Sequence, residues 1–553
     1  MKERKRPAPL EPRKIKIEEL NEILERGRGA PLSTEDYEKL HGVVETLAFV
    51  TRELEAKGAS IQRLRHLIFG APTEKTRRVL HEDAPPAVAE EADQAEAPPS
   101  IPPREQKHGR RRGHGRNGVS SYRRAPRVGV ALDGLKCGER CPHCERGRLY
   151  PKPPSELVRI EGVAPLSATV YELDRLRCSG CGDVFTAPAP PGVGEGKYDE
   201  TAGAMIGLLK YGCGLPFNRI ENLQRQMGIP LPAATQWDEV SKAAERMRPS
   251  YEELIRQAAQ GKILHNDDTT MKILELGPTR APIDGGESTE RAGIFTSGIV
   301  STGDAAPRIA LFFTGRQHAG ENLADVLAQR AAELDAPIQM CDALPQNTSG
   351  ELDTIVANCL AHARRKFVEV APSFPEECRY VLLELANVYR TDAVAKKGGL
   401  SPEERLRLHQ RESGPVMGRL KKWLKGELKD RRIEPNSTLG DAIRYMQKHW
   451  KKLVRFLTHP GAPVDNNIVE RALKKVILHR KNSYFYRTQN GARVGDLFMS
   501  LIHTCELCEN DAFDYLVAIQ RHHELVEKTP AKWMPWNYRE ALAATDPGPP
   551  GTP

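Results

Sequence analysis

The chain has 553 residues, 39% of them hydrophobic and 28% charged, with a net charge of +8. That is room for several domains and the balance of a globular chain with polar linkers. No apolar run approaches the roughly 20 residues of a membrane span, and no apolar segment follows the charged start Met-Lys-Glu-Arg-Lys-Arg. The expectation is therefore a cytoplasmic protein with no membrane partner. Eleven cysteines, including the four of two neighbouring Cys-x-x-Cys pairs, favour metal ligation over disulfides in such a chain.

Residues 15–75 read as an N-terminal helical region. Leu40, Val43, Leu47, Val50, Leu54, Ile61, Leu64 and Ile68 follow 3-4 spacing, broken at Lys57 and Gly58. This seam suits a dimerising coiled coil or an amphipathic helix packed within the monomer. Ser33 and Asp36 have the spacing of a capping box. Residues 76–127 read as a disordered linker. Its first half is acidic and rich in Pro and Ala, with too little apolar surface to fold. Its second half carries Arg110, Arg111, Arg112 and Arg116, a basic arm suited to phosphate contacts or simply to solvation.

In residues 128–190, Cys141-Pro-His-Cys144 and Cys178-Ser-Gly-Cys181 have zinc-ribbon spacing. Four thiolates close a tetrahedral structural Zn²⁺ site, with no position open for catalysis. Cys137 is near enough to replace one ligand or to stay free. Residues 199–258 read as three helices, predicted over 201–210, 218–227 and 233–248, with Gly228 in a turn. Such a trio suits a helix-turn-helix module, or three-helix packing without DNA contact.

From Gly261 the pattern becomes α/β. Strands are predicted over 263–276, 292–301 and 308–314 as an antiparallel meander. A helix is predicted over 322–334, a buried strand over 337–341, and a further helix or strand over 351–361. Residues 261–366 thus form the first part of a core, closing on the basic run His362-Ala-Arg364-Arg365-Lys366. Residues 367–460 read as an all-helical insertion, 461–510 as the second part of the core, and 511–553 as a C-terminal helical tail.

Three carboxylates stand out. Asp267 follows the apolar start of Lys-Ile-Leu-His-Asn-Asp, Asp342 ends Pro-Ile-Gln-Met-Cys-Asp, and Glu470 lies within a helical pattern. Two acids on strands and a third on a later helix can clamp two Mg²⁺ ions, or Mn²⁺, for in-line phosphoryl transfer. Water would be the nucleophile for strand cleavage, and a DNA 3′-hydroxyl for joining. Three strands, a helix and a strand is the ribonuclease H-like order, and the long interval before Glu470 fits an insertion. Adjacent strand residues point to opposite faces, so only one of Asp267 and Asp268 can face metal. Basic residues flank the acids: His265 before Asp267, then Arg471, Lys474 and Lys475, and Arg480 with Lys481. They suit phosphate contacts, or a charged helix face. Cys505 and Cys508 repeat the Cys-x-x-Cys spacing in an apolar helical stretch without a second pair, and read as core.

Along nearly its whole length the chain resembles the insertion sequence 66 family of bacterial transposases. Leu64-Arg-His-Leu-Ile-Phe-Gly-Ala-Pro-Thr-Glu-Lys75 is similar to the close of that family's zipper-like helix, and the cysteine pairs to its zinc finger. Lys210-Tyr211 and Leu215-Pro-Phe-Asn-Arg219 resemble its helix-turn-helix region. His265-Asn-Asp-Asp-Thr269 is similar to its first acidic motif, and Trp533-Met-Pro-Trp-Asn537 to its C-terminal motif. The most specific matches are Cys359-Leu-Ala-His-Ala-Arg-Arg-Lys-Phe367, Ser401-Pro-Glu-Glu-Arg405 and Asp465-Asn-Asn-Ile-Val-Glu-Arg471, followed by Arg480-Lys-Asn482.

The resemblance implies a multidomain α/β protein: a ribonuclease H-like catalytic core with an all-helical insertion, preceded by a coiled-coil helix, a zinc ribbon and a helix-turn-helix region. It implies a DDE-type transposase that binds terminal inverted repeats and target DNA and uses Asp267, Asp342 and Glu470 with Mg²⁺, choosing Asp267 over Asp268. It implies one structural Zn²⁺ on Cys141, Cys144, Cys178 and Cys181, and DNA contacts from Arg364, Arg365 and Lys366 as well as from the arm and the Glu470 helix. A homodimer or larger assembly, a nucleoid location and accessory proteins of the same element follow as expectations. Two positions depart from the family. Asp342-Ala-Leu replaces its usual Asp-Gly-Tyr, and Asp268 stands where Glu is common. The alternatives are an inactive or domesticated DNA-binding copy and a plain metal-dependent nuclease.

Overall fold

The computed structural model describes residues 17–29, 31–43, 146, 165–177, 184–191, 194, 196–277, 293–303, 306–348 and 353–545. The expected zinc ligands Cys141, Cys144, Cys178 and Cys181, the arm Arg110, Arg111, Arg112 and Arg116, and the apolar seam beyond Val43 lie outside the described residues. The chain divides into two compact units, one drawn from residues 1–89 and 367–383, the other from 90–366 and 384–553.

In the first unit, helix α1 (Ile17–Gly29) buries Ile23, and residues 34–43 form a second helix. Ser33 caps that helix, its Oγ accepting the Asp36 N–H at 3.1 Å, and the Asp36 carboxylate pairs with Arg26 at 2.9 Å.

The second unit begins with a short antiparallel pair, β1 (Arg175–Arg177) and β2 (Val184–Thr186). Helix α2 (Glu200–Gly207) runs on through a π turn to Gly212, followed by α3 (Phe217–Gln226) and α4 (Ala233–Ala258). A left-handed Gly228, at φ +75°, ends α3 as its position in the sequence predicts. Helix α4 continues past the expected end at 248 and through Pro249. The proline removes one backbone donor, but Met247, Leu254 and Ala258 keep burying the same helix face, and that burial outweighs the loss.

Five strands form the main sheet: β3 (Ile263–Thr270), β4 (Phe295–Thr302), β5 (Ile309–Gly315), β6 (Ile338–Cys341) and β7 (Ile355–Asn358). Their order is β5-β4-β3-β6-β7. The first three form an antiparallel meander, while β6 runs parallel to β3 and β7 parallel to β6. Helix α5 (Ala319–Leu327) makes the crossover from β5 to β6. Strand β3 stops six residues short of its expected end. From Lys272 onward the backbone pairs with residues 486 and 487 instead, the Leu274 N–H donating to the Tyr486 carbonyl at 2.9 Å.

Helix α6 (Leu360–Val370) follows β7 directly. Next come α7 (Pro375–Lys397), α8 (Pro402–Lys429), α9 (Thr438–Lys448), α10 (Asn467–Ser483), α11 (Gln489–Leu507) and α12 (Ala512–Arg521), then shorter helices to Thr545. Residues of α4, the sheet, α11 and the C-terminal helices bury one continuous core, among them Val240, Met247, Leu311, Phe312, Phe498, Leu516 and Trp533. Residues of 199–258 and 511–545 thus share this core with the sheet.

Helix α11 also solves the problem of the free edge of β5. Asp496, Ser500 and Thr504 recur every four residues and so share one helix face. They accept the N–H groups of Thr314 at 2.7 Å, Phe312 at 3.0 Å and Ala310 at 3.1 Å. An edge strand that would otherwise offer unpaired donors is closed by side chains. Among the described residues, no helix is long and apolar enough to cross a membrane.

Candidate active site

Strand alternation separates the two neighbouring aspartates. Asp267 lies opposite Gly298 and Asp268 opposite Ser297, so each pair shares a sheet face. On the Asp268 face the carboxylate accepts Ser297 Oγ at 2.7 Å and the Ala319 N–H at 3.0 Å, and meets His318 Nδ1 at 2.9 Å. Its oxygens are thereby committed to the start of α5. On the Asp267 face lies α10. A Cβ on Gly298 would stand 3.0 Å from Leu473 and 3.2 Å from Val469, so the missing side chain is what lets α10 settle there. Val469, Ala472, Leu473 and Val476 form its buried stripe, and Glu470 sits in its first turn.

Asp342 follows β6 and is buried. Its Oδ1 accepts the Leu344 N–H at 3.0 Å and Asn347 Nδ2 at 2.7 Å. The same Asn347 nitrogen donates to Asp267 Oδ1 at 3.3 Å, so one amide holds two acids. Asn347 is itself fixed, its carbonyl accepting Asn266 Nδ2 at 2.8 Å and Gln339 Nε2 at 2.6 Å.

The start of α10 is tied to the sheet through buried Asn466. Its Nδ2 donates to the Asn266 carbonyl at 3.1 Å, and its N–H reaches Cys359 Sγ at 3.2 Å. Its Oδ1 lies 3.0 Å from His265 Nδ1. Burial holds His265 down to about 4, so the ring is neutral and its Nδ1 carries the proton donated to Asn466. The expected cation beside Asp267 is thus absent at His265, because the residue faces the interior.

Electrostatics couple the three acids. Burial pushes the Asp267 carboxyl up to about 7, and the negative charges of Asp342, Glu470 and Asp268 add to the shift against the opposing Asp268 N–H. Glu470 Oε1 is buried with no hydrogen-bond donor, 3.8 Å from His362 Nδ1, which is also buried and without a hydrogen bond. Glu470 Oε2 lies 3.9 Å from Arg365 Nη2. Among the described residues, the ligating atoms of Cys359, His362 and Glu470 all lie within 4.8 Å of one another. Burial pushes the Cys359 thiol up to about 12, which keeps it protonated. The bare Glu470 oxygen thus lies nearest His362 and Cys359, while its charge is felt at Asp267, whose own carboxyl resists ionisation. Hard oxygen ligands of this kind fit a divalent cation such as Mg²⁺.

Asn347, Asn466 and Cys359 escaped the reading of candidate site residues, and His362 counted there only as part of a basic run. The signals on offer were the Cys359-x-x-His362 spacing and the place of Asn466 in the run Asp465 to Arg471, while Asn347 had none. Of the basic residues, Arg480 reaches back to β3, donating to Thr269 Oγ1 at 3.1 Å and Thr270 Oγ1 at 2.7 Å. Lys366 lies over the Tyr445 ring at 4.6 Å, and Tyr445, from α9, feels the charge of Asp342. Arg471, Lys474 and Lys481 are exposed on α10, while Arg364 is half-buried.

The chain is similar to the uncharacterized protein y4jD of Sinorhizobium fredii, at 30% identity over 359 residues, covering 62% of this chain and 67% of that protein. It is also similar to the uncharacterized protein y4hP of the same organism, at 27% identity over 395 residues, covering 67% and 68%. A model of the family described as Transposase IS66 family matches residues 195–494, more than half of the chain and all three acids. The protein belongs to the IS66 family of transposases.

Proposed function

We propose that the chain is a DDE-type transposase that cleaves and joins DNA strands at Asp267, Asp342 and Glu470, and that its five-stranded sheet is a ribonuclease H-like core. The observation that carries this reading is the Asn347 amide donating to both Asp267 and Asp342 beneath the helix that bears Glu470. The three acids would hold Mg²⁺ or Mn²⁺, which when bound supplies charge neutralisation at the attacking and leaving oxygens. Asn347 positions the two aspartates. Arg365, Arg471, Lys474 and Lys481 supply positive charge around them for phosphates, with Arg364 and Lys366 on α6 and Arg480 behind. The arm with Arg110, Arg111, Arg112 and Arg116 and the helices of 199–258 serve end recognition. Residues 15–75 serve pairing of protomers, with accessory proteins of the same element as further partners.

The test is incubation with candidate end DNA and Mg²⁺, followed by mapping of nicks and joined products. Nicks at one boundary with joined products support transposition. Scattered nicks point to a plain nuclease, and binding without nicks points to an inactive copy.

We also propose one structural Zn²⁺ on Cys141, Cys144, Cys178 and Cys181. Metal analysis of protein purified under reducing conditions should read one zinc per chain, and no zinc at all would remove the site.

A further inference from the structure

Helix α10 ends in an unusual turn. Tyr484 has φ 64° and ψ −42°, and the Phe485 N–H donates to the Ser483 carbonyl at 2.8 Å. This is a γ-turn of the rare left-handed kind, centred on an aromatic residue that has no glycine-like freedom. It is held from both sides. Before it, Asn482 Nδ2 donates to the Gly214 carbonyl at 3.1 Å, and Lys210 Nζ donates to Ser483 Oγ at 3.0 Å. After it, Tyr486 is buried, stacks on His479 at 5.1 Å and donates its N–H to the Lys272 carbonyl at 2.9 Å. The product of all this anchoring is a Tyr484 residue that is 72% exposed, with Phe485 beside it at 43%. Strain kept in place by surrounding contacts, while the strained side chain points to solvent, is a mark of function rather than packing.

The neighbourhood names the ligand. Lys481 and Arg487 are exposed on either side, and Arg480 links the turn to Thr269 and Thr270, just past Asp267 on β3. An aromatic face framed by cations is the arrangement that stacks a nucleobase while holding the flanking phosphates. Glu470 lies in the first turn of α10 and Tyr484 just past its end, so about 20 Å separates them, roughly six nucleotide steps along a DNA strand. We propose that Tyr484 stacks on an unpaired base of the DNA whose backbone occupies the acid site. This rests on the reading of that site as DNA-processing.

The experiment uses the full chain with a duplex bearing a single-stranded tail that contains 2-aminopurine, bound in Ca²⁺ so that no cleavage intervenes. Wild type and Tyr484→Phe should quench the fluorophore. Tyr484→Ala and Tyr484→Gly should lose the quench and bind the tail about 5- to 150-fold more weakly. Tyr484→Gly should melt no lower than wild type, because glycine accepts the positive φ, which separates loss of stacking from loss of fold. Quenching retained in Tyr484→Ala, or lost in Tyr484→Phe, overturns the proposal, as does a wild type that never quenches. A shift in oligomeric state in Tyr484→Ala with the quench intact would assign the ring to a protein contact and overturn it too. Cleavage of the same duplex by wild type in Mg²⁺ is scored separately, so quenching without any cleavage counts against the catalytic reading and leaves stacking standing.

Discussion

Asp267→Asn is expected to abolish Mg²⁺-dependent cleavage, a fall of about 10³-fold or more, while DNA binding persists and the metal-free protein becomes more stable. The two effects share a cause. Burial and the neighbouring charges of Asp342, Glu470 and Asp268 raise the Asp267 carboxyl to about 7 in the folded chain. Between its usual value near 4 and that raised value, the folded state holds a proton that the unfolded chain has released. Stability therefore falls as pH rises through this window, and the full cost of ionising Asp267 is felt above about 7. Asparagine carries no charge to ionise, so its stabilisation should be largest above pH 7, on the order of 1–3 kcal/mol, and vanish below pH 4. For wild type, the same proton competes with the cation, so the Mg²⁺ concentration needed for half-maximal cleavage should rise as pH falls below 7. Asp342→Asn and Glu470→Gln should lose cleavage to a similar degree. Thermal melts across pH and single-turnover cleavage check these results. A variant that cleaves at the wild-type rate would take its residue out of the site.

Gly298→Val is expected to fold but to cut about 10²-fold more slowly, although the residue carries no chemistry. Its Cβ would already press on Leu473 at 3.0 Å and Val469 at 3.2 Å, and valine adds two methyl groups in the same direction. Overpacking of that kind costs about 1–3 kcal/mol. The relief available is a shift of α10 away from β4, which carries Glu470 away from Asp267 and Asp342. A displacement near 1 Å in a site that works by positioning is worth about that factor in rate. Gly298→Ala should be milder, and Leu473→Ala in the Gly298→Val background should return part of the lost rate by restoring space. Circular dichroism, the thermal midpoint and single-turnover cleavage together decide it. A Gly298→Val protein with wild-type cleavage would show that the α10 contact with β4 does not govern Glu470.

Much of this was readable along the chain because it depends on local pattern. The short apolar run leading to Asp267 marks a strand, and the stripe Val469, Ala472, Leu473 and Val476 marks a helix, since the 3.6-residue period is a property of the backbone itself. Gly228 stops α3 because only a residue without Cβ takes that turn cheaply. The acidic motifs around Asp267, Asp342 and Glu470 stand in contiguous, recognisable runs.

The tertiary structure decided what no local pattern carries. Asp267 and Asp268 are chemically equal neighbours, and it is the placement of α10 on one sheet face and α5 on the other that gives them different surroundings. His265 reads as a cation until its burial against Asn466 makes it neutral. Asn347 joins Asp342, five positions before it, to Asp267, 80 positions before it, with nothing but a turn residue to announce it. Helix α4 outruns its proline because its partners in the core lie more than two hundred positions away, in α11 and the C-terminal helices. Periodicity records which face of an element is buried. What that face meets, and hence the charge state and hydrogen-bond partners of each side chain, depends on contacts between segments far apart in the chain.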